Sequence, residues 1–136
     1  MGSDFEIVDH TADWAIRVYG ADLPELFVNA ARGMTSLMVL EPESIPLDQE
    51  RMVELDAFDA ETLLVDWLSE LAYFAEDELL VFRSFTLGEM SETHLRARIN
   101  GGRVENLLKH IKAVTYHELA IRHTIAGLET TIVFDV

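Results

Sequence analysis

Two stretches of apolar residues at helical spacing limit most strongly how this chain can fold. Apolar side chains recur every three or four positions over residues 23–39, and Asp22 with Glu25 forms a capping-box-like start before them. A second stripe of the same spacing covers residues 60–75 and follows Asp59, a residue type that favours the N-cap position. The sequence therefore predicts two amphipathic helices.

Alternation of apolar and polar residues dominates most of the remaining chain and indicates strands. It predicts a half-exposed strand over residues 92–99, followed by a turn at Asn100-Gly101-Gly102. Near the end, alternation at 119–122 and 128–134 around Ala126-Gly127 predicts a terminal hairpin. Weaker strand signals lie at residues 5–8, 14–19, 51–58 and 79–87.

Strands outnumber helices in this pattern and do not alternate strictly with them, which favours the α+β class. We expect one mostly antiparallel sheet with the two main helices packed on one face. A chain of 136 residues has room for about one domain, so residues 1–136 are predicted to form a single domain.

Composition narrows the function classes. The absence of cysteine excludes disulfides, thiolate metal sites and a cysteine nucleophile, so oxygen or imidazole ligands would hold any metal ion. The formal net charge of −15 argues against direct, tight binding to nucleic acid. Residues 1–82 carry −16 of that charge, which indicates either a solubilising surface or electrostatic steering towards a basic partner or a cation.

The sequence also gives expectations about membrane contact and the cellular compartment. Residues 33–40 form the longest run without a charged side chain, far short of the roughly 18 apolar residues that span a membrane. The first residues lack the positive region and apolar core of a signal peptide. We therefore expect no contact with a membrane and a cytoplasmic location.

Three segments carry candidate functional groups. Residues 9–13, Asp-His-Thr-Ala-Asp, form a polar loop between two strand signals, although Asp and Thr also build ordinary turns. At the end of the chain, Asp135 stands beside the α-carboxylate of Val136, and the two repel each other unless a cation or a donor lies between them. The same residues also fit a fraying strand end.

The third segment alternates over residues 112–117, Lys-Ala-Val-Thr-Tyr-His, and is typical of an amphipathic strand. Its pattern places Lys112, Val114 and Tyr116 on one face, with Ala113, Thr115 and His117 on the other.

Together these segments, in this order, make the chain resemble the archease family. The resemblance extends over the whole chain through residues 9–13, residues 63–71 (Leu-Leu-Val-Asp-Trp-Leu-Ser-Glu-Leu), residues 112–117 and Phe134-Asp135. The sequence departs from the family's pattern at Trp14-Ala15, where an Ile-Gly pair is usual, and in a shorter stretch over residues 101–110.

The resemblance implies an accessory protein of the RtcB-type RNA ligase. Such a protein would contact RNA only indirectly, through the ligase. Archeases promote guanylylation and multiple turnover of that ligase in tRNA splicing and RNA repair. The resemblance further implies a metal site formed by Asp13, Asp135 and a main-chain oxygen of Val136. Such oxygen ligands suit Ca²⁺, Mg²⁺ or Mn²⁺. His10, Lys112, Tyr116 and His117 are candidates for contacts around the metal site or with the partner.

Two other functions remain open at this point. One is a small metal-dependent hydrolase of phosphate esters, with Asp13 and Asp135 holding the ion and His10 as the general base. The other is a general chaperone-like binding module. The sequence has neither a Gly-rich phosphate loop nor a nucleophile-base signature, so we expect an activator of a ligase and no enzyme.

Overall fold

The computed structural model describes residues 4–8, 14–116 and 118–136, which form two α-helices and eight strands. Every strand pair in these ranges is antiparallel, which confirms the α+β class. In chain order, the elements are β1 (Phe5–Val8), β2 (Trp14–Gly20), α1 (Leu23–Met38), β3 (Gln49–Asp56), α2 (Ala60–Glu78), β4 (Leu80–Met90), β5 (His94–Arg103), β6 (Ala113–Val114), β7 (Arg122–Thr124) and β8 (Gly127–Asp135).

The strands form two sheets, so the prediction of a single sheet is wrong. The larger sheet has the order β1-β2-β8-β6, with β7 also paired to β8. The smaller sheet has the order β3-β5-β4. Helix α1 contacts strands of both sheets, and α2 packs against β3, β4 and β6. The helices therefore join two sheets that share no ladder among the described residues.

Both predicted helices are present with their predicted caps. The Asp22 carboxylate accepts a hydrogen bond from the Glu25 backbone N–H at 3.0 Å, and Glu25 in turn accepts one from the Ala21 backbone N–H at 2.9 Å. At the start of α2, Asp59 accepts from the Thr62 backbone N–H at 2.7 Å. In the described ranges, neither helix is long and apolar enough to cross a bilayer.

One cluster of buried side chains connects both helices and both sheets. At its centre, Trp67 of α2 is fully buried and its indole N–H donates to the Phe27 carbonyl of α1 at 3.0 Å. About two turns further along α1, the buried Thr35 hydroxyl lies 3.2 Å from the Phe82 carbonyl of β4. Because these polar groups have partners, they link the elements without leaving a buried donor unpaired.

The predicted turn at Asn100-Gly101-Gly102 is wrong, because these residues continue β5. Gly101 pairs with Gln49 of β3 on one side and with Phe82 of β4 on the other. The strand needs glycine here for space, since a Cβ at Gly101 would collide with the backbone of Val81 and Phe82. Gly101 therefore marks a close approach between β4 and β5.

The terminal hairpin is confirmed in part. Strand β8 forms as predicted, but its partner β7 starts only at Arg122. Upstream of β7 the chain leaves the sheet, because side chains take its backbone groups: the Ile121 N–H donates to Glu61, and the Ala120 carbonyl accepts from Thr130. Leu119 is partly buried against the core without strand pairing.

The strand predicted over residues 112–117 is reduced to the two residues of β6. Val114 is buried, whereas Lys112 and Tyr116 are exposed. Pairing with β8 stops after Val114, although the Thr115 N–H still donates to the Val133 carbonyl at 3.0 Å. The end of this segment, His117, lies outside the described residues.

The close approach at Gly101 gives a stability prediction. Gly101→Ala should lower the free energy of unfolding by about 1–3 kcal/mol, because backbone atoms of β4 would have to move. Gly88→Ala is the matched control, since the nearest atom to an added Cβ is the Arg96 carbonyl oxygen at 3.5 Å. Urea unfolding of the two variants measures the difference. Equal stability of the two would contradict the steric explanation.

Candidate functional site

The end of β8 carries the predicted metal ligands that the structure describes, Asp135 and Val136. Strand β8 lies between β2 and β6, and its end pairs with both: Phe134 stands opposite Trp14, and Asp135 stands opposite Ala113. The segment is therefore held in the sheet on both sides, in contrast to a fraying strand end.

The burial of Phe134 determines where Asp135 points. Phe134 is fully buried, and because successive side chains of a strand alternate, Asp135 is exposed on the other face. The Asp135 carbonyl accepts from the Lys112 backbone N–H at 2.7 Å, and Val136 packs partly against the core. Among the described residues, nothing forms an ion pair or hydrogen bond with the Asp135 carboxylate, so its oxygens are available to a ligand.

The other predicted metal ligand, Asp13, lies outside the described residues, as do His10 and His117. The residues next to the two acids are described, however. Trp14 follows Asp13 in the sequence, Phe134 precedes Asp135, and Trp14 and Phe134 are cross-strand partners. Across the described part of the chain, no three His, Asp or Glu side chains group closely enough to hold a metal ion. The three-ligand site stays a prediction.

Lys112 and Tyr116 lie in the same segment but have different surroundings. Lys112 is exposed beside the end of β8, where its backbone N–H bonds to Asp135. The Tyr116 hydroxyl donates to the Asp66 carboxylate of α2 at 3.3 Å. Partial burial of the phenol and then the negative charge of Asp66 raise the pKa of Tyr116 above its ordinary value. Tyr116 is therefore a hydrogen-bond donor to α2.

A cation that the sequence did not indicate lies on the β2 side of this region. The Lys109 ammonium lies 4.1 Å from the centroid of the Trp14 ring, a cation–π contact. Ala15, the second residue of the unusual Trp14-Ala15 pair, is 1% exposed, so a small side chain fits there. No local pattern connects Lys109 with Trp14, because the two are far apart in the sequence.

Comparison with known proteins gives the family. The sequence profile of the Archease protein family (MTH1598/TM1083) matches residues 5–136. The chain belongs to the archease family. It is 37% identical over 146 residues to protein archease of Methanosarcina barkeri, covering all of this chain and 98% of that protein.

Solved structures agree with this assignment. The solution structure of Methanobacterium thermoautotrophicum protein 1598 superposes with a TM-score of 0.79 at 30% identity, covering 98% of this chain and 99% of that one. The crystal structure of an archease from Thermotoga maritima, described as a "possible chaperone", shares the fold with a TM-score of 0.65 at 24% identity, covering 95% and 94% of the two chains. The family resemblance seen in the sequence is confirmed.

The pairing of Tyr116 with Asp66 gives a titration prediction. Asp66→Asn should lower the pKa of Tyr116 towards its ordinary value, because the nearby negative charge is removed, while partial burial keeps some of the shift. The difference in ultraviolet phenolate absorbance between each protein and its Tyr116→Phe derivative isolates this residue. Asp77→Asn, an acid of α2 with no polar contact among the described residues, is the control. Identical Tyr116 titrations in all three backgrounds would contradict the contact.

Proposed function

We propose that this archease is an accessory protein of an RtcB-type RNA ligase and promotes its guanylylation and multiple turnover. That ligase joins RNA ends bearing a 2′,3′-cyclic phosphate or 3′-phosphate to ends bearing a 5′-hydroxyl, in tRNA splicing and RNA repair. The observation that carries the proposal is the cross-strand pairing of Trp14 with Phe134, because these residues are bonded to Asp13 and Asp135. Family membership supports the same function.

A divalent cation would be held by the carboxylates of Asp13 and Asp135 and by a main-chain oxygen of Val136. The described part of this set fits a hard cation, because the Asp135 carboxylate is exposed and has no ion-pair partner among the described residues. The Asp135 carbonyl accepts a hydrogen bond from the Lys112 backbone N–H, whereas the Asp135 carboxylate has no hydrogen-bond partner among the described residues. Bound there, Ca²⁺, Mg²⁺ or Mn²⁺ would supply positive charge that relieves repulsion between the acids.

The chain's own contribution is to present the Asp135 carboxylate in a defined position. Phe134 is locked in the core and Lys112 fixes the Asp135 backbone, so the exposed carboxylate has a defined position relative to a docked partner. The charge of −16 over residues 1–82 favours association with a basic surface. We infer that the chain positions ligand groups at the ligase active site and that bond formation takes place on the ligase. Such action fits a cytoplasmic protein.

The decisive experiment combines the chain with its cognate ligase. We expect substoichiometric amounts to accelerate ligase guanylylation and to allow many rounds of joining of RNA ends. The chain alone should neither join RNA nor hydrolyse nucleotide or phosphodiester. Metal-dependent hydrolysis by the chain alone, lost in Asp13→Ala, would instead support a hydrolase. Suppression of aggregation of unrelated proteins without ligase stimulation would support a chaperone-like module.

Asp13→Ala tests the predicted metal ligand that lies outside the described residues. We expect this variant to lose stimulation of the ligase while its circular dichroism spectrum and melting temperature stay near wild type, because an acid that serves a metal contributes little to packing. Asp77→Asn is the matched control and should stimulate fully. Full stimulation by Asp13→Ala would exclude the acid from the working site, and unfolding would identify it as a structural turn residue.

Asp135→Asn tests the predicted metal ligand at the end of β8. The amide keeps the shape of the side chain but loses its charge, so affinity for Ca²⁺ and Mn²⁺ should fall at least about tenfold. Titration calorimetry compares the wild type, Asp135→Asn and Asp77→Asn, with the guanylylation assay run on the same preparations. If Asp135→Asn binds both ions as tightly as Asp77→Asn does, the Asp135 carboxylate is not a ligand.

A further inference from the structure

A cleft of about 310 Å³ lies between the two sheets, where α1 passes from β1 to β4. Three aromatic side chains line it, Phe5 of β1 with Phe82 and Phe85 of β4, together with the guanidinium groups of Arg32 and Arg83. Neither Asp135 nor Val136 lines this cleft, so an inference about it is independent of the proposed function.

Arg83 brings hydrogen-bond donors into the cleft in a fixed orientation. Its Nε–H donates to the Ile45 carbonyl at 2.6 Å, which holds the guanidinium plane against the segment that follows α1. Among the described residues, Arg83 forms no ion pair, so the N–H groups of its two terminal nitrogens have no protein acceptor. Arg32 adds a second guanidinium, of which Nη1 bonds to Asp4 at 3.2 Å.

The hydroxyl groups of the cleft are already used as donors. The Ser36 hydroxyl donates to the Gly33 carbonyl at 2.6 Å. The Thr35 hydroxyl lies 3.0 Å from the Ala31 carbonyl and 3.2 Å from the Phe82 carbonyl. The unused polar capacity of the cleft is therefore mostly N–H donors on arginine. Glu43 also lines the cleft and opposes an anion, but the two guanidinium groups of Arg32 and Arg83 leave the lining with a net charge of +1. A ligand that fits these groups brings acceptor oxygens of its own, and a carboxylate or phosphate matches the planar fork of arginine.

The aromatic lining favours a flat apolar group on the same ligand. Phe82 is 2% exposed, so Phe5 and Phe85 offer the ring surface that a ligand can contact, and Phe85 packs edge-on against Trp67 with ring centroids 6.1 Å apart. These rings are held by the core, so binding a planar group against them costs little ordering. The cleft volume lies at the lower end of the range of about 300–1,000 Å³ that small-molecule sites occupy.

We propose that this cleft binds a small anion in which a planar aromatic ring carries a carboxylate or phosphate group. Arg83 contacts the anionic group, and the rings of Phe5 and Phe85 contact the ring of the ligand. Ser36 lies on the α1 wall of the cleft, so a larger side chain at this position fills the space without removing a charge.

Four probes separate the parts of this ligand in amide NMR titrations of the full chain: 2-naphthyl phosphate, 2-naphthoate, inorganic phosphate and 2-naphthol. We expect 2-naphthyl phosphate or 2-naphthoate to move the amide signals of Ser36, Phe82 and Arg83, and the tighter of the two identifies the anionic group. Inorganic phosphate and 2-naphthol should each bind at least about tenfold more weakly, because each offers half of the contacts. Equal binding of inorganic phosphate, or no binding of either naphthyl anion, overturns the proposal.

Two variants test the residues. Arg83→Gln should weaken binding of the preferred naphthyl anion about tenfold, since a charge-assisted hydrogen bond is lost. Arg98→Gln is the matched control, because this exposed arginine of β5 is outside the cleft lining. Ser36→Leu should abolish binding while Arg83 is intact, and thermal melting checks that each variant is folded. Binding unchanged in Arg83→Gln, or signals that move only outside the cleft, would contradict the assignment.

Discussion

The burial of α1 between two sheets and a second helix is the constraint on which the rest of the structure depends. Three buried or half-buried side-chain donors fasten this arrangement: Asn29 to a β2 carbonyl at 2.7 Å, Thr35 to a β4 carbonyl at 3.2 Å, and Trp67 of α2 to an α1 carbonyl at 3.0 Å. Apolar burial supplies most of the driving force, and these directional bonds select one placement of each element against α1. Neither sheet is paired to the other within the described ranges, so the two helices carry the connection between them.

The same packing sets the chemistry at the end of β8. Ile132 and Phe134 are fully buried, and a slip of one residue in the strand register would move both to the other face of the sheet. Because the core resists that slip, Asp135 is kept on the exposed face and opposite Ala113 of β6. The position of Asp135 therefore follows from the burial of its neighbour Phe134. The Lys109 ammonium group, which lies over the Trp14 ring, adds a cation to the same region.

Features determined by neighbouring residues could be predicted from the sequence, and features determined by distant ones could not. Both helices and their Asp caps follow from local spacing, and so does the exposure of Asp135 after Phe134. Alternation shows which face of a strand is buried but not which strand pairs with it, so the division into two sheets was not predictable. Gly101 belongs to a turn by local preference, yet pairing on both sides keeps it in β5. The Tyr116–Asp66 contact joins residues 50 positions apart, and no local pattern in the sequence indicates it.

We propose that residues at the start of β2 and the end of β8 together form a cation site. Paramagnetic broadening by Mn²⁺ locates such a site directly, because the effect on an amide signal falls steeply with its distance from the ion. We expect substoichiometric Mn²⁺ to broaden the amide signals of Trp14, Phe134 and Asp135 first and to leave those of β3 and β5 sharp. This selectivity should be lost in an Asp13→Asn protein. Broadening that starts on the acidic surface of α2, or that is unchanged in Asp13→Asn, would contradict the claim.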